Sequence, residues 1–340
     1  MESFSATSIK SMEEKTKLFK EIGNFTYLEH DIAEEGDAVW AMLFDFRPDI
    51  VVNLAHIASG PYSMASQDNA ALSLRNNIIG TNNFLWSLKD LCPDSHYITI
   101  GTTGEYDHYS NIDIEEGYIN ISHNGRESVE MMYPRRPGSI YHSSKTASTY
   151  LIDFLTRSWG IRCTDIQQAV VFGSYTDEID QTKIYSRLDS DEAHGTVIHR
   201  FMVQSLLGVP LTVYGEGKHQ RGFISLNDSV QALEIAINNP AEKGRVQVWN
   251  QLSEWHSMND IAAMVSEVCG GVDITHIDTP RNEHTGEHYY KYITEKLSKL
   301  GYKPTRTIKE EIEYTINVLK KRKDELKPLA KVVMPNIRWK

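Results

Sequence analysis

Apolar and polar positions alternate along the first half of the chain in two rhythms. Short apolar runs bounded by turn residues predict strands: FTYLEHDI over 25–32, PDIVVNLAH over 48–56, SHYITIGTTGEY over 95–106 and IRCTDIQQAVVFG over 161–173. Between them apolar residues return every three or four positions, the spacing of one helix face. The stripe Val39, Trp40, Leu43 and Phe44 predicts a helix over 34–46. Longer helices are predicted over 68–91 and 141–160, the last stopping at Gly160. The 48–56 run is nearly continuous and opened by proline, as expected of a strand buried on both faces. This alternation predicts an α/β protein with a doubly wound parallel sheet and helices on both faces.

After residue 173 the rhythm loosens. The pattern predicts a polar loop over 174–193 and a helix over 195–208 carrying Phe201, Leu206 and Leu207. Over 210–240 it predicts a short strand, a glycine-rich basic loop and a helix. A strand at 245–251, a helix at 257–269, a loop rich in histidine and tyrosine from 280 and a lysine-rich helix near 308–326 complete it. We expect 1–175, joined by 222–255, to form the sheet domain. Residues 176–221 and 256–340 would form a smaller α/β substrate lobe over the carboxyl edge of the sheet, where open α/β sheets bind ligands.

Composition narrows the class. The 340 residues carry a net charge of −11, which argues against general nucleic-acid binding. The apolar runs are strand-sized and too short to span a bilayer, and the N-terminal stretch lacks the apolar centre of a secretory signal, so a cytoplasmic location is expected. Cys92, Cys163 and Cys269 lie far apart with no C-x-x-C, predicting neither disulfide framework nor zinc site. No histidine spacing suggests another metal; His56, His123 and His142 are the histidines that are candidates for chemistry.

The sharpest chemical feature is SIYHSSK at 139–145. Tyr141 and Lys145 stand one turn apart on one helix face. A free phenol has a pKa near ~10, and a neighbouring cation favours its ionised form. Such a pair can move a proton, although the same spacing also arises by chance on surface helices. Its context is GTTGEY ending the preceding strand, with Thr102 and Thr103 at the carboxyl end, and QAVVFG ending the next strand at the same edge. That order resembles the extended short-chain dehydrogenase/reductases, whose fold is Rossmann-like. So do NNIIGTNNFL at 76–85, near the family's N-x-x-G-T helix motif, and VYGEGKHQRGFISLNDSVQAL, near its segment facing a nucleotide-sugar diphosphate. Within that family NIDIEEGY, HNGR, YHSSK, TVYGEGKHQRGF, EHYY and MPNIRW resemble the UDP-sulfoquinovose synthases, from about residue 25 to the end.

The resemblance implies conversion of UDP-glucose and sulfite to UDP-sulfoquinovose with tightly held NAD, in a homodimer formed through the helices at 68–91 and 141–158. It implies that Tyr141 takes the proton of the sugar 4-hydroxyl, that Lys145 lowers the phenol's pKa and bonds the nicotinamide ribose, and that Thr102 orients the 4-oxygen. His142 and Glu105 are candidates for the further acid/base. Cofactor contacts are expected from Asp31, Ile32, Asn76, Tyr141, Lys145, Gln168 and Val171. Substrate contacts are expected from Thr102, Gln168, Arg200, Tyr214, Arg221 and His288, with Tyr289 and Tyr290 beside the last. Each has a plainer reading. Thr102 can cap a turn, Glu105 can cap or sit on the surface, His142 can bond backbone at a helix start, and Gln168 can satisfy buried backbone.

Three features depart from the pattern. The sequence has no G-x-x-G-x-x-G, so the sheet is expected to be incomplete at its N-terminal side, by at least about 30 residues of the usual fingerprint. Where the synthases have a stretch like E-Q-R-S-A-P-Y-S, this chain has His56 to Ser63, with Ala58 at the arginine position. His199 stands where asparagine is usual. Another nucleotide-sugar epimerase or dehydratase, or a non-catalytic nucleotide-sugar-binding protein, therefore remains open.

Overall fold

The computed structural model describes residues 16–21, 23–106, 112–184, 188–278 and 291–334. His288, Tyr289 and Tyr290 lie outside them. In chain order the elements are α1 (Gly36–Phe46), β1 (Ile50–Asn53), α2 (Gly60–Ala65), α3 (Gln67–Leu74), a π turn (Arg75–Ile79), α4 (Gly80–Leu91), β2 (His96–Thr102), the hairpin β3 (Tyr118–His123) and β4 (Arg126–Met132), and α5 (Ile140–Trp159). Then follow β5 (Arg162–Gln168), β6 (Val170–Phe172), α6 (Asp177–Thr182), α7 (Val197–Leu207), β7 (Leu211–Tyr214), β8 (Gln220–Ser225), α8 (Leu226–Asn238), β9 (Val246–Gln251) and β10 (Glu254–Ser257). Next come α9 (Met258–Val268), β11 (Ile274–Ile277), α10 (Glu295–Lys299), α11 (Ile308–Lys321) and α12 (Lys323–Leu326).

The main sheet is parallel with order β1-β2-β5-β9. Its register sets Thr102 beside Gln168, and Gln168 beside Gln251, at the carboxyl edge. Both faces are covered, as parallel sheets require. Val39, Leu85, Leu88, Tyr97, Ile152 and Cys163 join α1, α4 and α5 to one face. Ile98, Ile166, Ala232, Trp249 and Leu297 join α8 and α10 to the other. A third core of α7, α9, α11, β7 and β8 centres on Phe201, Met202, Phe223, Ile261 and Ile312. Fully buried Phe201 and Phe223 each contribute roughly 1.5–3 kcal/mol from apolar area removed from water.

The long helices follow their sequence signals. α5 opens on Ser139, whose side chain accepts from the His142 N–H, and closes on Gly160 at φ 68°. The strand expected at 25–32 does not form. Among the described residues β1 is the edge of its sheet, so this stretch finds no ladder partner and stays largely exposed. The run 161–173 divides into β5 and β6, because the Ala169 N–H turns to the Gln251 carbonyl and β6 pairs with β8 instead. The predicted loops hide structure too. α6 lies within 174–193, and part of the basic loop after β7 is β8, paired with both β6 and β10. The lysine-rich helix breaks at Arg322 into α11 and α12.

Candidate active site

The carboxyl ends of β1, β2 and β5 open into a cavity of about 970 Å³, roofed by the 189–200 segment and the β7–β8 region. Thr102, Tyr141, His142, Lys145, Gln168, Val171, Arg200, Tyr214 and Arg221 all line it. The structure therefore brings together nine of the residues singled out from sequence. Asp31, Ile32 and Asn76 do not line it. The Asp31 carboxylate caps its own turn, accepting the Ala33 and Glu34 N–H groups at 2.8 and 3.0 Å. The Ile32 side chain lies against Gly80, and the Asn76 amide donates to the Ala55 carbonyl at 2.9 Å.

Tyr141 enters on the first turn of α5, where its N–H is held by the Ser63 hydroxyl at 2.9 Å. Its phenol differs from the sequence expectation: burial first, and then the Glu105 charge, push its pKa up, against a lowering hydrogen bond from the Thr102 hydroxyl. The cation expected to do the opposite is turned elsewhere. The Lys145 ammonium donates to the Ile100 carbonyl and contacts His56 Nδ1. Burial lowers Lys145 to about 8, opposed by the Glu105 and Asp165 carboxylates. The Thr102 hydroxyl lines the cavity and accepts the Gly104 N–H at 3.2 Å in a capping box, the plainer of its two readings.

Glu105 is not the free acid/base suggested by sequence. It closes that capping box, and its other oxygen meets Arg135 Nη1 at 2.6 Å with both side chains fully buried. Thr149 donates to the same oxygen at 3.0 Å. Burial raises its pKa and Arg135 opposes. Glu105 is thus a committed structural carboxylate beneath the strand end, absent from the cavity lining. His142 does line the cavity. Burial, and next the Arg221 guanidinium, drive its pKa down to about 3, so the ring is neutral. Ser139 Oγ lies 3.0 Å from Nδ1, and a Cβ at Gly104 would collide with the ring at Nε2. Only glycine fits there.

Gln168 donates to Ser229 Oγ and Gln251 Oε1, both at 2.7 Å. On α7 Arg200 donates to the Thr212 carbonyl at 3.0 Å and stacks its guanidinium 5.0 Å from the Tyr214 ring. Arg221 reaches the Gln220 carbonyl at 3.3 Å. His199 is accounted for structurally: Nε2 accepts the Gly173 N–H at 2.9 Å, and Nδ1 lies 3.1 Å from the Asp189 carbonyl, to which it donates. Both nitrogens are committed, and burial lowers its pKa to about 4. Ala58 lines the cavity without a charge.

Sequence reasoning missed Arg135 and Asn77. The Asn77 amide accepts the Ile57 N–H at 2.8 Å and donates to Ser144 Oγ at 2.8 Å, tying the loop after β1 to α5. The N-x-x-G-T spacing pointed to it one residue beyond Asn76. No such spacing marks Arg135. Among the described residues no cluster of histidine, cysteine or acidic residues could hold a metal. No described helix is long and apolar enough to cross a membrane.

A strand-end hydroxyl, a phenol and a lysine line one cavity at the carboxyl edge of the parallel sheet, and the chain belongs to the NAD dependent epimerase/dehydratase family, whose sequence profile matches residues 6–250. Within it the chain is 40% identical over 300 residues to the chloroplastic UDP-sulfoquinovose synthase of Spinacia oleracea. It is 36% identical, also over 300 residues, to the UDP-sulfoquinovose synthase of Sulfolobus acidocaldarius. These matches cover 87% of this chain, but 61% of the spinach protein and 76% of the archaeal one. The fold matches the UDP-glucuronic acid 4-epimerase of Bacillus cereus, solved with UDP-glucuronic acid and NAD, with a TM-score of 0.71 at 20% identity, covering 94% of this chain and 89% of that one. It also matches the UDP-glucose 4-epimerase of Thermotoga maritima, solved with UDP-glucose, with a TM-score of 0.70 at 20% identity, covering 88% and 85%.

Proposed function

We propose that the chain carries the chemistry of a UDP-sulfoquinovose synthase, acting on UDP-glucose and sulfite in a homodimer. One observation carries this reading: Thr102, Tyr141 and Lys145 line one cavity at the strand ends, in a chain 40% and 36% identical to two such synthases. The exposed aromatic side chains of Trp86 on α4 and Tyr150 and Phe154 on α5 favour pairing through those helices.

The residues fit the nicotinamide half of NAD. Lys145, 3% exposed yet cationic through Glu105 and Asp165, offers donors for ribose hydroxyls, while Gln168 and Val171 line the same wall. The residues expected at the adenosine half, Asp31 and Ile32, are not in that lining. NAD, when bound, supplies a reversible hydride acceptor. Tyr141 exchanges a proton with a sugar hydroxyl, and Thr102 orients that oxygen. At neutral pH the phenol is protonated in its present setting, so it acts as a base only when a positive charge approaches it. Lys145, one helical turn away in the same lining, is placed to bring one. His142, neutral and beside Tyr141 in the lining, is a further acid/base, a kind of group that contributes typically 10²–10⁴-fold. Arg221, with its planar fork, is suited to a diphosphate.

The test is product analysis of the full chain given NAD and UDP-glucose, with and without sulfite. UDP-sulfoquinovose formed only with sulfite is expected. A 4-epimer or a 4-keto-6-deoxy sugar formed regardless of sulfite would favour a different nucleotide-sugar reaction, which the uncharged Ala58 in the lining makes the second reading. Calorimetric binding of UDP-glucose without NAD binding or turnover would contradict both.

A further inference from the structure

Lys145 touches a side chain to which the reaction above gives no part, the His56 imidazole three residues beyond β1. The ring's tautomer follows from its neighbours. His56 Nε2 lies 3.0 Å from Thr81 Oγ1, and the Thr81 hydroxyl spends its hydrogen on the Asn77 carbonyl at 2.7 Å. Thr81 Oγ1 therefore accepts, and the imidazole proton sits on Nε2. Asn53 Nδ2 gives one hydrogen to the Tyr97 hydroxyl at 2.7 Å, and its other stands 3.4 Å from the same imidazole nitrogen, a longer contact than that to Thr81 and one that would leave Nδ1 carrying a hydrogen against the Lys145 ammonium. Nδ1 is left with a lone pair at the Lys145 ammonium.

The backbone next to His56 is fixed by Asn77, which takes the Ile57 N–H at 2.8 Å and gives to the Ile57 carbonyl at 3.2 Å. The same amide holds Ser144, the neighbour of Lys145 on α5. Imidazole and ammonium are thus referred to one anchor. We propose that His56 is a positioning residue for Lys145: as the neutral Nε2–H tautomer it accepts the ammonium on Nδ1 and, with the Ile100 carbonyl, sets where that ammonium stands. An ammonium has three donors. With two directed at His56 and Ile100, the third is left for a ligand hydroxyl. The charges facing Lys145 are the Glu105 and Asp165 carboxylates, with Arg135 paired to Glu105, and the charge acting on His56 is Lys145 itself.

This rests on Lys145 belonging to the reacting pair, but the geometry can be tested without turnover. Nitrogen-15 histidine NMR of the unliganded chain should show His56 as the neutral Nε2–H tautomer, titrating below an ordinary histidine. Lys145→Met should move its titration upward, because the charge beside it is gone. A Nδ1–H tautomer, or a titration indifferent to Lys145→Met, would overturn the proposal; the wild-type tautomer alone decides if that variant does not fold. In turnover, His56→Phe should lower kcat/KM at least about tenfold, and His56→Gln, which keeps an acceptor, should recover most of it, an energy of one charge-assisted hydrogen bond. Equal loss in both variants would mark a packing role only and also overturn it. A chain with no turnover on any nucleotide sugar would sink the proposed function while leaving the NMR result to judge His56.

Discussion

The two sides of β1 behave differently although their sequences look alike. Toward β2 and β5 every strand has a partner, and the strand ends deliver Thr102, Gln168 and their neighbours to one edge. On the other side FTYLEHDI has the composition of a strand and forms none; Tyr27 and Leu28 are 48% and 47% exposed. A strand pattern states what a segment can do if a neighbour pairs with it. Where pairing exists, chemistry is placed; where it is lacking among the described residues, the expected cofactor contacts Asp31 and Ile32 stay out of the cavity.

The comparison can be broken from its well-paired side first. Arg135→Ala leaves the Glu105 carboxylate buried without its cation, which should cost about 3–5 kcal/mol. Denaturant unfolding would measure it, and a cost under about 1 kcal/mol would show that this pair does not support the strand end. Next is pH. His199 is buried neutral with its pKa lowered to about 4, so between its ordinary value and 4 the unfolded state binds more protons. Stability should therefore fall as pH drops through that window, by roughly 3 kcal/mol from this group when complete. His199→Asn should flatten the acid limb of unfolding midpoints plotted against pH. The smallest effect belongs to the unpaired side. Asp31→Ala removes an exposed turn cap and should lower stability by about 0.5–1 kcal/mol. A change in nucleotide-sugar turnover beyond twofold would mean that Asp31 reaches the site after all.

Much of this was legible. Helix periodicity and the Gly160 stop located α5, and the spacing of Tyr141 and Lys145 put both in the cavity. Two things were not. Whether a phenol sits near a cation depends on where the lysine's flexible stem turns, and here the Ile100 carbonyl and His56 attract it, partners from β2 and the loop after β1 that lie 45 and 89 residues away. Glu105 likewise reads as a catalytic carboxylate until Arg135, 30 residues on, is folded against it. Helix and strand patterns record local periodicity; long-range polar pairing leaves no such trace.

The proposed function stands or falls on the Tyr141 phenol exchanging a proton with a hydroxyl of a UDP-sugar. Tyr141→Phe removes that hydroxyl and little else. Turnover should fall by about 10³-fold, with UDP-glucose binding and the unfolding midpoint held. Turnover within a few fold of the unaltered chain would contradict it.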